Sequence, residues 1–485
     1  MSSADQPNPV RAPHRTLGVP ELAGVCRYAE AAGPGLGVEE NVARLKRLNW
    51  VEQRVVELML TQITCTPEWE VKGGLCHHAW LAAEHAKSLQ QRVSELRHPP
   101  HNFHVAPDQA LDAWLEEALR SHGTVELLTA LYRVIKPAML EAYRAQLTAT
   151  HPLVDQPSRR ILRLIVQEEE ETLAWGEAAW DALLTTEELE QQSLAWQMHL
   201  LAYLDAAGGL LGESKPAGAS LPPPRATLPL QPDWFPRRDA RFESYNYHFP
   251  PHWVYAQRDR TVAERNLALV CKRLLEMDVP EMMARIIWET NQAALATGKP
   301  RPWEYSADMC RQVWDEARHS MMGEAWLVSQ GVDFTRVPLN IGFSLGLNQL
   351  VSAPEAHATL LWIEQGLMPK STGKAYEWSV ARDSHDALAN LFMDYDWADE
   401  VLHVHLGRWI VKEVGSRAAM EQLGRESFAR VMEIRRQRGL EGAEQTEQRE
   451  WWPDFCAEVL GFRPEPLGAE VYAAADSDAP WLKNG

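Results

Sequence analysis

The sequence predicts an all-α protein, and three observations predict it. Apolar residues recur at mixed spacings of three and four, as in Val42, Leu45, Leu48, Val51, Val55, Leu58 and Met59, which is the period of one helix face. The two-residue alternation of a half-buried strand is almost absent. Two segments also read Asp-Glu-x-x-His, Asp315 to His319 and Asp399 to His403. On a helix, residues three apart share a face, so each segment would aim a carboxylate and an imidazole at one spot.

At 485 residues the chain is long enough for two or three domains. The formal charge of -19 and the lack of a basic block argue against a nucleic-acid partner. The six cysteines show no CxxC pair, which reads as reduced, buried thiols. The polar start MSSADQPNPVRAPHR has no apolar signal region, and no run of 18 apolar residues occurs. The expectation is a soluble, cytoplasmic protein with no membrane segment.

In chain order, residues 1–38 carry Pro and Gly punctuation and read as an N-terminal arm. Residues 39–206 read as a helical bundle, with helices near 38–64, 75–96, 107–121, 123–149, 157–183 and 185–206. Residues 207–240 are Pro-rich and read as an interdomain linker. Residues 241–415 read as a second bundle, interrupted near Asp278–Pro280, Gly298–Pro300, a 331–353 loop and Pro369–Gly373. Residues 416–485 form a charged helix and a tail.

The two halves carry a weak internal repeat. With Trp69-Glu70 set on Trp303-Glu304, the next tryptophan lies eleven residues on in both, at Trp80 and Trp314. A histidine lies five further, at His85 and His319, while Ala82 stands where Glu316 does. Setting Pro137 on Pro369 and Gly176 on Gly407 places Tyr132 opposite Glu364, and Glu169 and Thr172 opposite Glu400 and His403. The first half then lacks two glutamates and a histidine, with His85, Glu57 and Glu169 as remnants.

The metal-ligand set read from the second half is Glu289, Glu316, His319, Glu364, Glu400 and His403. Glu289 is chosen for its similar height to Glu316 across the turn at residues 298–302; Glu276 and Glu264 stay open as alternatives. Carboxylates gathered in an apolar interior repel and take up protons unless cations neutralise them. Carboxylate with imidazole suits iron or manganese, and the lack of cysteine ligands argues against structural zinc. Asp315 and Asp399 are placed to accept from the ligand histidines, with Arg318 balancing charge nearby. His77-His78, His98, His101 and His104 read as surface residues, and Trp288, Trp314, Trp362 and Trp397 read singly as core packing and together as candidate lining for a dry pocket.

One Glu, then Glu-x-x-His, then one Glu, then Glu-x-x-His resembles the ferritin-like superfamily of di-iron carboxylate proteins. The wording WDEARHSM and DEVLHVHLGRW is similar to bacterial members of unassigned function. The resemblance covers roughly residues 260–412 and, more loosely, 40–183, where Ala82, Tyr132 and Thr172 depart from the pattern. It implies two ferritin-like four-helix bundles in tandem and two Fe ions, with Mn or a mixed Mn/Fe pair also fitting. It implies a non-haem di-iron oxidoreductase using O2 on a small organic substrate, with an electron donor and a homodimer as expected partners. An iron-handling ferroxidase and a scaffold with a structural metal are the alternative readings, since a fold does not fix a reaction.

Overall fold

The computed structural model describes residues 18–96, 102–212, 220–245, 250–340, 342–369, 371, 373–438 and 450–467. Among these the protein is helical, apart from one parallel pair of two-residue strands, Ser244–Tyr245 with Leu339–Asn340. The tail and the loop histidines His98 and His101 lie outside the described residues.

In the first half, α1 (Val38–Ile63) and α2 (Trp69–Glu95) pack along each other. After α3 (Gln109–Ala118), Gly123–Leu128, the π-helical Thr129–Ile135 and Lys136–Ala149 run on as α4. α5 (Gln156–Leu183) and α6 (Glu187–Ala207) complete this half. Asp155 and Thr186 cap α5 and α6 by accepting from the amides of Ser158 and Leu189. The expected start of α2 near Leu75 is six residues late. Gly73 and Gly74 lie inside the helix because they admit neighbours: a Cβ on Gly74 would stand 2.2 Å from the Trp175 ring.

The second half begins with α7 (Val262–Leu274), which passes through a 3-10 turn, Leu275–Met277, into α8 (Asp278–Ala296). Pro280 has no N–H to give the carbonyl four residues back, so the α-helical ladder lapses at Glu276. α9 (Trp303–Ser329) runs back beside both helices. α10 (Gly342–Leu350) is a helix within the expected 331–353 loop, a correction. Its apolar run, Phe343, Leu345 and Leu347, is too short for sequence period to separate helix from loop. α11 (Ala353–Gly366), α12 (Lys374–Asp383), α13 (Ala387–Leu406) and α14 (Arg408–Val414) follow, then α15 (Arg417–Arg438) and α16 (Trp452–Leu460). A Ser352–Glu355 capping box starts α11, and Asp386 caps α13 through the Ala389 amide at 2.9 Å. α8 packs against α9 and α11, and α13 packs against the same two helices.

The halves share one continuous apolar core from Val42 to Leu467. α1 lies against α8, and α2 runs antiparallel to α9. The opening tryptophan of each hairpin bonds across: Trp69 Nε1 donates to Glu324 at 2.8 Å, and Trp303 Nε1 to the Ala83 carbonyl at 2.9 Å. Residues 220–240 contain no helix, as their prolines foretold, yet they are not a free spacer. Arg225 bonds Glu117 and Glu126 of the first half, and Asn348 of the second donates to the Trp234 carbonyl. Arg238 joins Lys72 of α2 on the buried Glu281 carboxylate of α8.

Candidate metal centre

Three helices of the second half and one 3-10 turn deliver ionisable side chains to one buried place. α9 contributes Asp315, Glu316 and His319; α11 contributes Glu364; α13 contributes Asp396, Asp399, Glu400 and His403. Glu276 enters from the 3-10 turn between α7 and α8.

Five of the six residues expected from sequence meet here, and Glu289 does not. Its carboxylate accepts from Arg285 at 2.8 Å, and it lines a surface cavity at the far end of α8. The correction follows from the hairpin register. Thr290 bonds Tyr305 across the α8–α9 turn, so Glu276, fourteen residues before Thr290, stands opposite His319, fourteen after Tyr305. Counting heights from the turn motif alone placed the ligand too near that turn. Glu264 is also elsewhere, bound to Arg260 at 2.6 Å and Trp452 at 3.0 Å.

The donor atoms form two corners. In one, Glu316, Glu364, Glu400 and His403 bring ligand atoms within 4.8 Å of one another; in the other, Glu276, His319 and Asp396 do. His403 Nδ1 lies 3.2 Å from Glu316, 3.6 Å from Glu400 and 4.0 Å from Glu364. His319 Nδ1 lies 3.3 Å from Glu276 and 3.4 Å from Asp396. The two imidazole centroids are 5.9 Å apart.

Asp315 and Asp399 serve the histidines crosswise. Asp399 Oδ2 is 3.2 Å from His319 Nε2, and Asp315 Oδ2 is 3.5 Å from His403 Nε2. Asp399 therefore holds the His319 imidazole by a hydrogen bond, whereas Asp315 stands beside His403 Nε2 at ion-pair distance without bonding it, so that both nitrogens of His403 are unpartnered. Arg318 donates to both aspartates, which fixes α9 to α13 at this level. Burial would raise Asp315, but His403, Arg311 and Arg318 hold it down to about 2.

Three site residues were missed. Asp396 lies one turn before Glu400 on the same face of α13, a spacing that was legible. Lys374 and Arg273 carry no motif. Lys374 Nζ is 2.7 Å from Glu400 and 2.9 Å from Asp396; Arg273 meets Asp396, Glu276 at 2.9 Å and Glu377 at 3.2 Å. Both are fully buried, and only the folded chain brings them from α7 and α12 to the centre.

Burial, then the charges of Glu400 and Glu316, push the Glu364 carboxyl well above the usual carboxylate range. Burial disfavours charge on His403, but Asp315, Glu316 and Glu400 outweigh it and raise the imidazole well above its ordinary value. These are the marks of a site arranged around positive charge. Among the described residues, Glu276 Oε2, Glu316 Oε1, Glu364 Oε2, Glu400 Oε2, His319 Nδ1 and His403 Nδ1 are buried without a hydrogen-bond partner. Unpaired polar atoms are costly in an interior, and here they share one spot. Oxygen and imidazole donors of this kind fit iron or manganese.

The first half holds a smaller cluster, Glu52, His85 and Glu169. Glu57 is not in it, being paired with Arg54. His85 lies 3.1 Å from Glu52 and 2.7 Å from Glu168; Tyr143 donates to Glu52 at 2.6 Å, and Lys136 to Glu169 at 2.6 Å. Tyr132, opposite Glu364 in the repeat, bonds His78 at 2.7 Å, so His78 is buried rather than on the surface. Trp314 faces the other half, against His77 and Trp80, instead of lining a pocket. Among the described residues no helix is long and apolar enough to cross a membrane. No protein-family model, curated protein or solved structure matches this chain.

Proposed function

We propose that the second half holds a dinuclear iron or manganese centre and that the protein is a non-haem oxidoreductase using O2 on a small organic molecule. We read its two halves as ferritin-like four-helix bundles in tandem, of which only the second keeps a full ligand set. The observation that carries this reading is the convergence of Glu276, Glu316, His319, Glu364, Glu400 and His403, with a buried, unpartnered donor atom on each. Glu276 here takes the place expected of Glu289, and Asp396 adds a carboxylate.

Bound there, the metal pair would supply O2 binding and electron transfer. The chain's own residues set the terms. Asp399 holds the His319 imidazole in one orientation, Asp315 faces His403 as its counter-charge, and Gln312 donates to Glu364 Oε1 at 3.2 Å, fixing that carboxylate's rotation. Glu316, Glu364, Glu400 and His403 are each no more than 4% exposed, which keeps bulk water from competing.

The experiment is metal analysis of protein loaded anaerobically with Fe(II), followed by its ultraviolet–visible spectrum as O2 enters. Bound iron and a new charge-transfer band support the reading. Sustained Fe(II) oxidation with mineral growth would assign iron handling instead, and protein that retains no iron or manganese would overturn the centre.

A further inference from the structure

The two corners of the centre are not equal. At Glu316, Glu364, Glu400 and His403, three carboxylates and an imidazole meet with one cation, Lys374, touching only the Glu400 edge. Glu316 Oε1, Glu364 Oε2, Glu400 Oε2 and His403 Nδ1 stay unpartnered. At Glu276, His319 and Asp396, two atoms, Glu276 Oε2 and His319 Nδ1, are unpartnered as well, but the carboxylate charge is met by fixed cations. Arg273 is on Asp396 and on Glu276, and Lys374 holds both Asp396 oxygens, at 2.9 and 3.0 Å. Neither Asp396 oxygen is unpartnered.

The first half shows where such pairing leads. There Lys136 sits on Glu169, which the repeat sets opposite Glu400, and His85 is shared between Glu52 and Glu168. A buried lysine reaches the corresponding glutamate in both halves by different routes. Lys136 follows the π-helical stretch directly, whereas Lys374 is returned by a loop whose Gly373 lets the Lys374 amide bond the Leu367 carbonyl at 2.8 Å. A Cβ on Gly373 would stand 1.9 Å from that carbonyl oxygen. The loop is thus shaped to deliver the ammonium.

We infer that the centre fills in order: an ion binds first at Glu316, Glu364, Glu400 and His403, and the Glu276–His319–Asp396 corner binds its ion much more weakly because Arg273 and Lys374 already neutralise it. This rests on the metal reading above. A divalent ion entering the second corner must meet two fixed cations beside its ligand oxygens. Such repulsion weakens binding by at least about tenfold even at the effective dielectric of a protein interior.

The test is titration of the metal-free full chain with Mn(II), free Mn(II) being followed by electron paramagnetic resonance. Wild type is expected to bind one ion tightly and a second at least about tenfold more weakly. Glu364→Gln should abolish the tight phase, Asp396→Asn should spare it, and Lys374→Gln should narrow the gap. Two ions of equal affinity in wild type, or a tight phase lost in Asp396→Asn and kept in Glu364→Gln, would overturn the order while leaving the metal centre standing. Wild type that binds no ion would overturn the centre itself and the order with it. Circular dichroism of each variant identifies any that fails to fold, and the wild-type titration decides without them.

Discussion

Trp80 and Trp314 stack on each other, their ring centroids 6.4 Å apart and their planes 11° from parallel. They are also the residues that the internal repeat sets in the same position of its two copies. Helices that the sequence alignment of the halves sets together, α2 and α9, therefore meet through aligned side chains, as the subunits of a two-fold dimer do. The Arg311 guanidinium lies over Trp80 and also donates to Asp315, so this seam is joined to the buried carboxylate–histidine cluster.

The stack should be measurable. Trp80→Ala and Trp314→Ala should each lower stability, and the double variant should lose less than the sum. A coupling of about 0.5–1.5 kcal/mol is expected from a double-mutant cycle in urea. Additive losses would show that the rings do not act together.

Glu276→Gln should reduce the metal content of saturated protein, whereas Glu289→Gln should leave it unchanged. Elemental analysis at matched protein concentration separates them. The reverse outcome would restore the ligand suggested by sequence.

Lys72→Met should destabilise the whole chain by about 3 kcal/mol, because it removes a buried partner from Glu281, which is fully buried. Arg238 remains on that carboxylate and limits the loss. Denaturant unfolding followed by tryptophan fluorescence would read it; a change below about 0.5 kcal/mol, the size of a surface substitution, would contradict it.

Burial disfavours a charged His85, but Glu52, Glu168 and Glu169 raise it to about 9. A folded value above the unfolded one means the stabilisation is full below about pH 6.5 and is lost as pH rises through about 9. The shift corresponds to about 3 kcal/mol. The melting temperature should therefore fall between pH 6.5 and 9.5 in wild type and fall less in His85→Gln. Parallel profiles would show that His85 is not charged in the fold.

The helical class and most of the buried carboxylate–histidine cluster were legible because 3.6-residue periodicity and the Glu-x-x-His spacing are local properties of a helix. The two aspartates were legible for the same reason, though that each serves the opposite histidine required the packing of α9 on α13. Glu289 was preferred, with Glu276 left open, because the α8–α9 register is set by Thr290 and Tyr305, a contact with no sequence mark. Lys374 and Arg273 were invisible: each is an ordinary helix cation until the fold brings it beside Asp396. Asp396 is readable by the same spacing, one turn before Glu400 on the same face of α13, but lies outside the repeated Asp-Glu-x-x-His motif.

Pairing like helix with like helix inside one polypeptide changes how the two sides can vary. In a pair of identical subunits every substitution appears twice, and association weakens on dilution. Here both surfaces are tethered, so they meet at any protein concentration. Ala82 can stand on one side while Glu316 stands on the other, and the half without the glutamate still supplies the wall against which α9 is held.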